Sequence, residues 1–217
     1  MVNNLIIYHQ VKPGVDCSDG IVSAWVVQKY LKNNNLTQFD IVDFFGDYYQ
    51  NQNTPSVEAY HRIFVVDFSY PAEVLLEWRK STTEIFVIDH HKTAMESLSS
   101  LESTILGRGI TFDLNECGAT LTWKFFFPEE PVPAFLEYVR DRDLWDFLLP
   151  YTKEIHAGFS ELRYKLKSFG SLQREMLFAF FDELALMDRD DLISYLAPIG
   201  TPLIAETAGM PENANQK

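Results

Sequence analysis

Residues 84–91 read EIFVIDHH. Ile85, Phe86, Val87 and Ile88 follow one another without a polar break, and Asp89, His90 and His91 come next. A short apolar run that does not alternate suits a strand covered on both faces, as in a parallel sheet between helices. Glu84 to Ile88 is therefore predicted as such a strand, with a carboxylate and two imidazoles at its carboxyl end. Taken alone, Asp89-His90-His91 reads equally well as a polar turn with a capping aspartate.

The flanking sequence repeats the pattern. Leu5 to Tyr8 is a first apolar run, followed by a polar loop with Pro13 and Gly14. From about Asp19 to Leu31, the apolar residues Ile21, Val22, Trp25, Val26 and Tyr30 recur at helical spacing. Phe39 to Phe45 is predicted as a second strand and Ile63 to Val66 as a third, ending at Asp67. Pro71 opens a helix that includes Val74, Leu75 and Trp78, a position proline favours. Strands alternating with helices imply an α/β fold: a mostly parallel, Rossmann-like sheet with right-handed crossovers, flanked by helices. After residue 115 the pattern turns helical, with candidates at about 117–127, 132–140, 171–187 and 189–197. The aromatic runs Phe125 to Phe127 and Phe178, Phe180 and Phe181 are expected to be core. Residues 1–204 are predicted to form one domain, and the small, polar stretch 205–217 a disordered tail.

Composition excludes several functions. The 217 residues are 47% hydrophobic, enough for one substantial core, yet no apolar run approaches the roughly 20 residues of a membrane helix. The N-terminal MVNNLIIYHQ lacks the basic start and long apolar core of a signal peptide. Two cysteines make no disulfide framework, so a reducing, cytoplasmic setting is expected. The net charge of −13, with no basic cluster longer than two residues, argues against binding long duplex nucleic acid.

In an open parallel sheet, ligands bind outside the carboxyl ends of the strands. His9, Asp16 and Asp19 follow the first predicted strand, Asp67 follows the third, and Asp89, His90 and His91 follow the fourth. So many carboxylates on one sheet edge would repel one another, and a divalent cation removes that repulsion. Mixed Asp and His donors suit Mn²⁺, Fe²⁺, Co²⁺ or Zn²⁺, with Mg²⁺ an alternative. The number of donors exceeds the need of one ion and points to two. A pair of ions about 3.5–4 Å apart is standard machinery for hydrolysing phosphate esters and anhydrides.

Four stretches resemble the motifs of the DHH phosphoesterase superfamily: YHQVKPGVDCSDGIVSAW, VVDFSYP, VIDHHKTA and VRDRDLWDF. ECGATLTW resembles a segment that lies between the third and fourth motifs. The likeness covers about residues 5–200, and the third motif is the most specific. The resemblance implies two Mn²⁺ or Mg²⁺ ions bridged by Asp67. His9 and Asp16 would hold one; Asp19, His90 and Asp141 would hold the other, with Asp143 competing for the role of Asp141. His91 would face the phosphoryl group, and Asp89 would orient an imidazole.

The first motif departs from the family. His9 stands seven residues before Asp16 where the related subgroup has two, and Cys17, not an aspartate, stands two before Asp19. Asp16 reaching the ion through a wider turn, Cys17 contributing, and Cys17 simply packing are the alternatives. The family's second domain, with its glycine-rich, basic substrate-binding motif, is not found. The function implied is metal-dependent hydrolysis of a small phosphorylated substrate: a short oligonucleotide, a nucleotide phosphate or a cyclic dinucleotide. The alternative is a non-catalytic binding or scaffold module with a partial metal site. A partner chain, including a second copy in a homo-oligomer, is a third way to supply the missing domain. No membrane partner is expected.

Overall fold

Strand and helix alternate through the first part of the chain, as the sequence predicts. The computed structural model describes residues 2–34, 41–51, 53–82, 84–101, 109–166 and 173–208. The chain divides into two compact units, Met1–Val132 and Pro133–Lys217, and each is taken by itself. The first unit contains β1 (Asn3–Lys12), β2 (Val15–Asp16), α1 (Ser18–Asn33), β3 (Ile41–Asp47) and β4 (Arg62–Val66). It continues with α2 (Ala72–Trp78), β5 (Glu84–Asp89), α3 (Lys92–Leu98), β6 (Ile110–Phe112) and α4 (Gly118–Phe126).

The sheet runs β3-β1-β4-β5-β6, and all four of these pairings are parallel. Numbering only the parallel strands in chain order gives 2-1-3-4-5, a doubly wound order with its switch point between β1 and β4. β2 is the exception: it folds back antiparallel on the end of β1. Period-two alternation divides the strands between two apolar layers. Leu5, Ile7, Ile63, Val65, Ile85 and Val87 pack with Leu75 and Trp78 of α2 and Leu98 of α3. α1 and α4 pack on β1, β4 and β5, with Trp25 and Trp123 stacked between the two helices at 6.2 Å. With Ile6, Ile7, Ile63, Val65, Val66, Val87 and Ile88 all fully buried, the continuous apolar runs have the cause predicted for them. Each such side chain contributes about 1.5–3 kcal/mol.

The first part of the sheet differs from the sequence reading at β1, at β3 and in the loop after β1. β1 continues past Tyr8 to Lys12, so His9 lies within the strand. β3 extends to Asp47, two residues past its predicted end; Phe39 and Asp40 lie outside the described residues. The polar loop around Pro13 and Gly14 is a hairpin, with Gly14 at φ 72° making the turn.

The second unit contains α5 (Ala134–Asp143), α6 (Thr152–Leu166), α7 (Gln173–Leu184) and α8 (Arg189–Ala208). Its core is aromatic: Phe135 lies 5.2 Å from Phe159 and 5.8 Å from Phe181, with Phe178 also buried. α6 is absent from the sequence-derived candidates, although Ile155, Phe159, Leu162 and Leu166 recur at helical spacing along it. Its closest approach to α8 is made through glycine. A Cβ at Gly158 would meet the Leu196 carbonyl oxygen at 2.2 Å, and one at Gly200 the Glu154 carbonyl oxygen at 1.8 Å. α6 and α8 therefore touch backbone to backbone. α8 runs through residues 205–208, the start of the expected tail; residues 209–217 lie outside the described residues.

His156 on α6 gives this unit a pH dependence. Burial, then the charges of Arg142 and Arg163, push its imidazole down to about 4. An unfolded chain takes up that proton near pH 6.5, whereas the folded one resists until about pH 4. Stability present above about pH 6.5 is therefore lost as pH falls towards 4, by about 3 kcal/mol from this group. Urea midpoints between pH 7 and 4.5 are expected to fall more steeply for the wild type than for His156→Gln.

Candidate metal centre

The centre of the site is Asp67, the first residue past β4 and 1% exposed. Its φ of 54° is left-handed, unusual for a residue with a side chain. The bend still keeps the ladder, because Asp67 N–H donates to the Ile88 carbonyl at 3.0 Å. Asp67 thus turns off the sheet edge at the β1/β4 switch point, beside His9 in β1 and His90 after β5.

Its two carboxylate oxygens face different imidazoles. Oδ1 lies 3.1 Å from His90 Nε2, which is also 3.6 Å from Asp19 Oδ2. Oδ2 lies 3.5 Å from His9 Nδ1. Neither Asp67 Oδ2 nor His9 Nδ1 has a hydrogen-bond partner among the described residues, although both atoms are buried. Burial favours a neutral Asp67, but the imidazoles of His9 and His90 outweigh it and hold the carboxyl well below the usual range. Burial likewise lowers His90, yet the hydrogen bond to Asp67 and the charges of Asp19 and Asp67 raise it to about 9. Without an ion, a proton on His90 offsets these carboxylates; a divalent cation would take over that task.

Among the described residues of this unit, two groups of side chains bring donor atoms within 4.8 Å of one another: Asp67, Asp89, His90 and His91, and His9, Cys17 and Asp67. Asp67 belongs to both. Asp89 is fully buried and saturated. It accepts from the His90 and His91 backbone N–H groups at 2.7 and 3.2 Å, and from Ser69 Oγ at 2.6 Å. His91 Nδ1 lies 2.6 Å from Asp89 Oδ1, which fixes the ring. Asp19 sits in the first turn of α1, where its two oxygens accept N–H groups of Gly118 and Ala119 at 2.5 and 2.8 Å. It therefore fastens the start of α4 to the site, an anion at a helix N-terminus.

Glycines permit this closeness. A Cβ at Gly118 would meet Asp67 Cβ at 2.6 Å and Asp19 Oδ2 at 2.9 Å; one at Gly20 would meet the His9 carbonyl oxygen at 2.4 Å.

Asp16 and Asp141 have other partners. The Asp16 carboxylate accepts from Tyr8 OH at 3.1 Å and Gln10 Nε2 at 2.7 Å. Asp141, in the second unit, accepts from Leu148 and Leu149 N–H at 2.8 and 3.2 Å and from the Thr152 hydroxyl. That loop holds Trp145, Phe147 and Tyr151 at positive φ, so Asp141 is what constrains a strained backbone. Asp141→Ala is expected to destabilise the protein by about 2–4 kcal/mol, read as a drop in the urea midpoint. Asp143 is half-buried at the end of α5.

Two residues at the edge of the centre are missing from the sequence reading. Asp47 ends β3 in register with His9, is 1% exposed, and accepts from Tyr48 N–H, Asn51 Nδ2 and Tyr70 OH. The turn it pins presents Tyr49, 47% exposed, whose ring lies 5.3 Å from His9, 5.5 Å from His91 and 4.7 Å from Phe68. Burial, then the charges of Asp89, Asp67 and Cys17, push the Tyr49 hydroxyl far up, so it stays protonated.

No protein-family model matches the chain. Uncharacterized protein R106 of Acanthamoeba polyphaga mimivirus is 29% identical over 222 aligned positions, covering 99% of this chain and 49% of that protein. The chain thus spans about half the length of the curated relative it matches. The crystal structure of RecJ in complex with Mn²⁺ from Thermus thermophilus superposes with a TM-score of 0.42 at 14% identity, over 95% of this chain and 35% of that one. Among the described residues no helix is long and apolar enough to cross a membrane.

Proposed function

We propose that the first unit hydrolyses a phosphodiester or phosphoanhydride bond in a small phosphorylated substrate, using divalent cations held around Asp67. The observation that carries this reading is the division of labour on one buried carboxylate: Oδ1 toward His90, Oδ2 toward His9, with Asp67 Oδ2 and His9 Nδ1 lacking hydrogen bonds among the described residues. That donor set fits Mn²⁺ or Mg²⁺, and two ions sharing Asp67 use it fully. His9 and Asp67 would hold one; His90, Asp19 and Asp67 would hold the other. Bound there, the cations lower the pKa of the attacking water and screen phosphate charge.

The remaining roles fall to the chain's own groups. Asp89 keeps the His91 ring oriented by its 2.6 Å contact to Nδ1, and the second nitrogen serves a phosphoryl oxygen. Tyr49 offers a nucleobase an exposed ring beside both histidines, which favours a short oligonucleotide or nucleotide over inorganic phosphate chains. The resemblance to DHH phosphoesterases rests on the same residues. Asp16 and Asp141 keep the hydrogen-bonding roles described above.

The test is hydrolysis of bis-p-nitrophenyl phosphate and short RNA oligomers with added Mn²⁺. The wild type is expected to turn over both, and His90→Ala to lose roughly 10²-fold or more. Equal rates in the two proteins, or no turnover of any phosphate ester by the wild type, favour the non-catalytic reading.

A further inference from the structure

The hairpin between β1 and β2 decides which first-motif side chain faces the centre. Tyr8 and Gln10 lie on one face of β1, and His9 lies on the other. Asp16 pairs with Gln10 across the hairpin, so it shares the Tyr8 and Gln10 face, where both donate to its carboxylate. The next residue falls on the His9 side. Cys17 N–H donates to the His9 carbonyl at 3.3 Å, and its sulfur belongs to the His9–Cys17–Asp67 group.

Two further facts mark Cys17 as more than packing. It is half-buried and therefore reachable. The group it joins also contains Asp67 Oδ2 and His9 Nδ1, two buried polar atoms without hydrogen bonds among the described residues. Asp67 itself is 1% exposed, so water does not satisfy its orphaned oxygen from bulk.

We propose that Cys17, not Asp16, completes the metal subsite with His9 and Asp67, and that its sulfur makes this subsite select a thiophilic divalent cation of the zinc or iron(II) class. The reading rests on the metal centre proposed above and adds an asymmetry to it. Sulfur and imidazole donors favour zinc and iron(II), whereas the His90, Asp19 and Asp67 side, with two carboxylates, favours manganese or magnesium. A mixed pair of ions follows.

The test is titration of the metal-free wild type, Cys17→Ser and Cys17→Asp with Co²⁺, followed by near-ultraviolet absorption. Cys17 is the N-cap of α1, and serine and aspartate are both favoured there, so the helix keeps its start, which circular dichroism checks. A thiolate-to-cobalt charge-transfer band is expected in the wild type and in neither variant. By competition calorimetry, Cys17→Ser is expected to lose roughly tenfold or more in Zn²⁺ affinity with Mn²⁺ affinity changed by less than about threefold, and Cys17→Asp to shift preference toward Mn²⁺. Cobalt binding without the band in the wild type, or unchanged Zn²⁺ affinity in both variants, overturns the role of Cys17 and leaves the metal centre standing. Failure of the wild type to bind cobalt at all overturns both.

Discussion

Asp67→Asn is expected to lose metal-dependent hydrolysis on the order of 10³-fold while remaining folded. The amide keeps the shape of the carboxylate, and asparagine tolerates the left-handed φ of 54° better than most residues. What it removes is the shared negative charge between His9 and His90. Stability should fall by roughly 1–3 kcal/mol, because the amide removes the charge that pairs with the His9 and His90 imidazoles. Asp67→Ala separates the two effects. It should lose the same activity and a further 1–2 kcal/mol or so, from forcing alanine into the left-handed region. Hydrolysis by Asp67→Asn within about tenfold of the wild type would contradict the central role of this carboxylate.

Gly118→Ala is expected to strain the metal centre directly, costing about 2–4 kcal/mol and weakening metal binding as well. The added Cβ would stand 2.6 Å from Asp67 Cβ and 3.0 Å from Asp67 Cα. Neither atom can retreat cheaply, since Asp67 N–H is bonded to Ile88 and Gly118 N–H to Asp19. The strain has to go into the metal centre or into the start of α4. Gly14→Ala is the control. Nothing lies within 4 Å of a Cβ there, and only the φ of 72° is affected, so the loss should be about 1 kcal/mol with metal affinity intact. Urea midpoints and calorimetric metal affinities on both variants test the pair. A Gly118→Ala protein as stable as the wild type would mean that α4 does not pack against Asp67 as described.

The parallel sheet was legible because its strands are buried on both faces and so lose the alternation of a half-wet strand. Val87 and Ile88 announce β5, and the Asp89-His90-His91 run that follows stands at the carboxyl end of the sheet. The hairpin was not legible, although Pro13 and Gly14 signalled a turn, because only the register of β2 on β1 shows that Asp16 and Cys17 fall on opposite faces. Asp47 escaped for a related reason. Its strand has a mixed surface, IVDFFGD, so its end could not be located to within two residues, and its pairing with His9 depends on β3 lying beside β1. Gly118 was visible within ECGATLTW, but its role depends on a contact 51 positions away in sequence, at Asp67. The apolar stripe of α6, Ile155, Phe159, Leu162 and Leu166, was readable; its glycine approach to α8 was not, because Gly158 meets Leu196 only in the fold.

The most direct test of the account is a metal count. Metal-free wild type and Asp67→Asn are loaded with Mn²⁺ and Zn²⁺ together, freed of excess by gel filtration, and assayed for bound metal by mass spectrometry. With Asp67 as the shared ligand, the wild type should retain about two metal equivalents per chain, zinc and manganese together, and Asp67→Asn at most about one in total. No retained metal in the wild type, or equal retention in the two proteins, would contradict a centre built on Asp67.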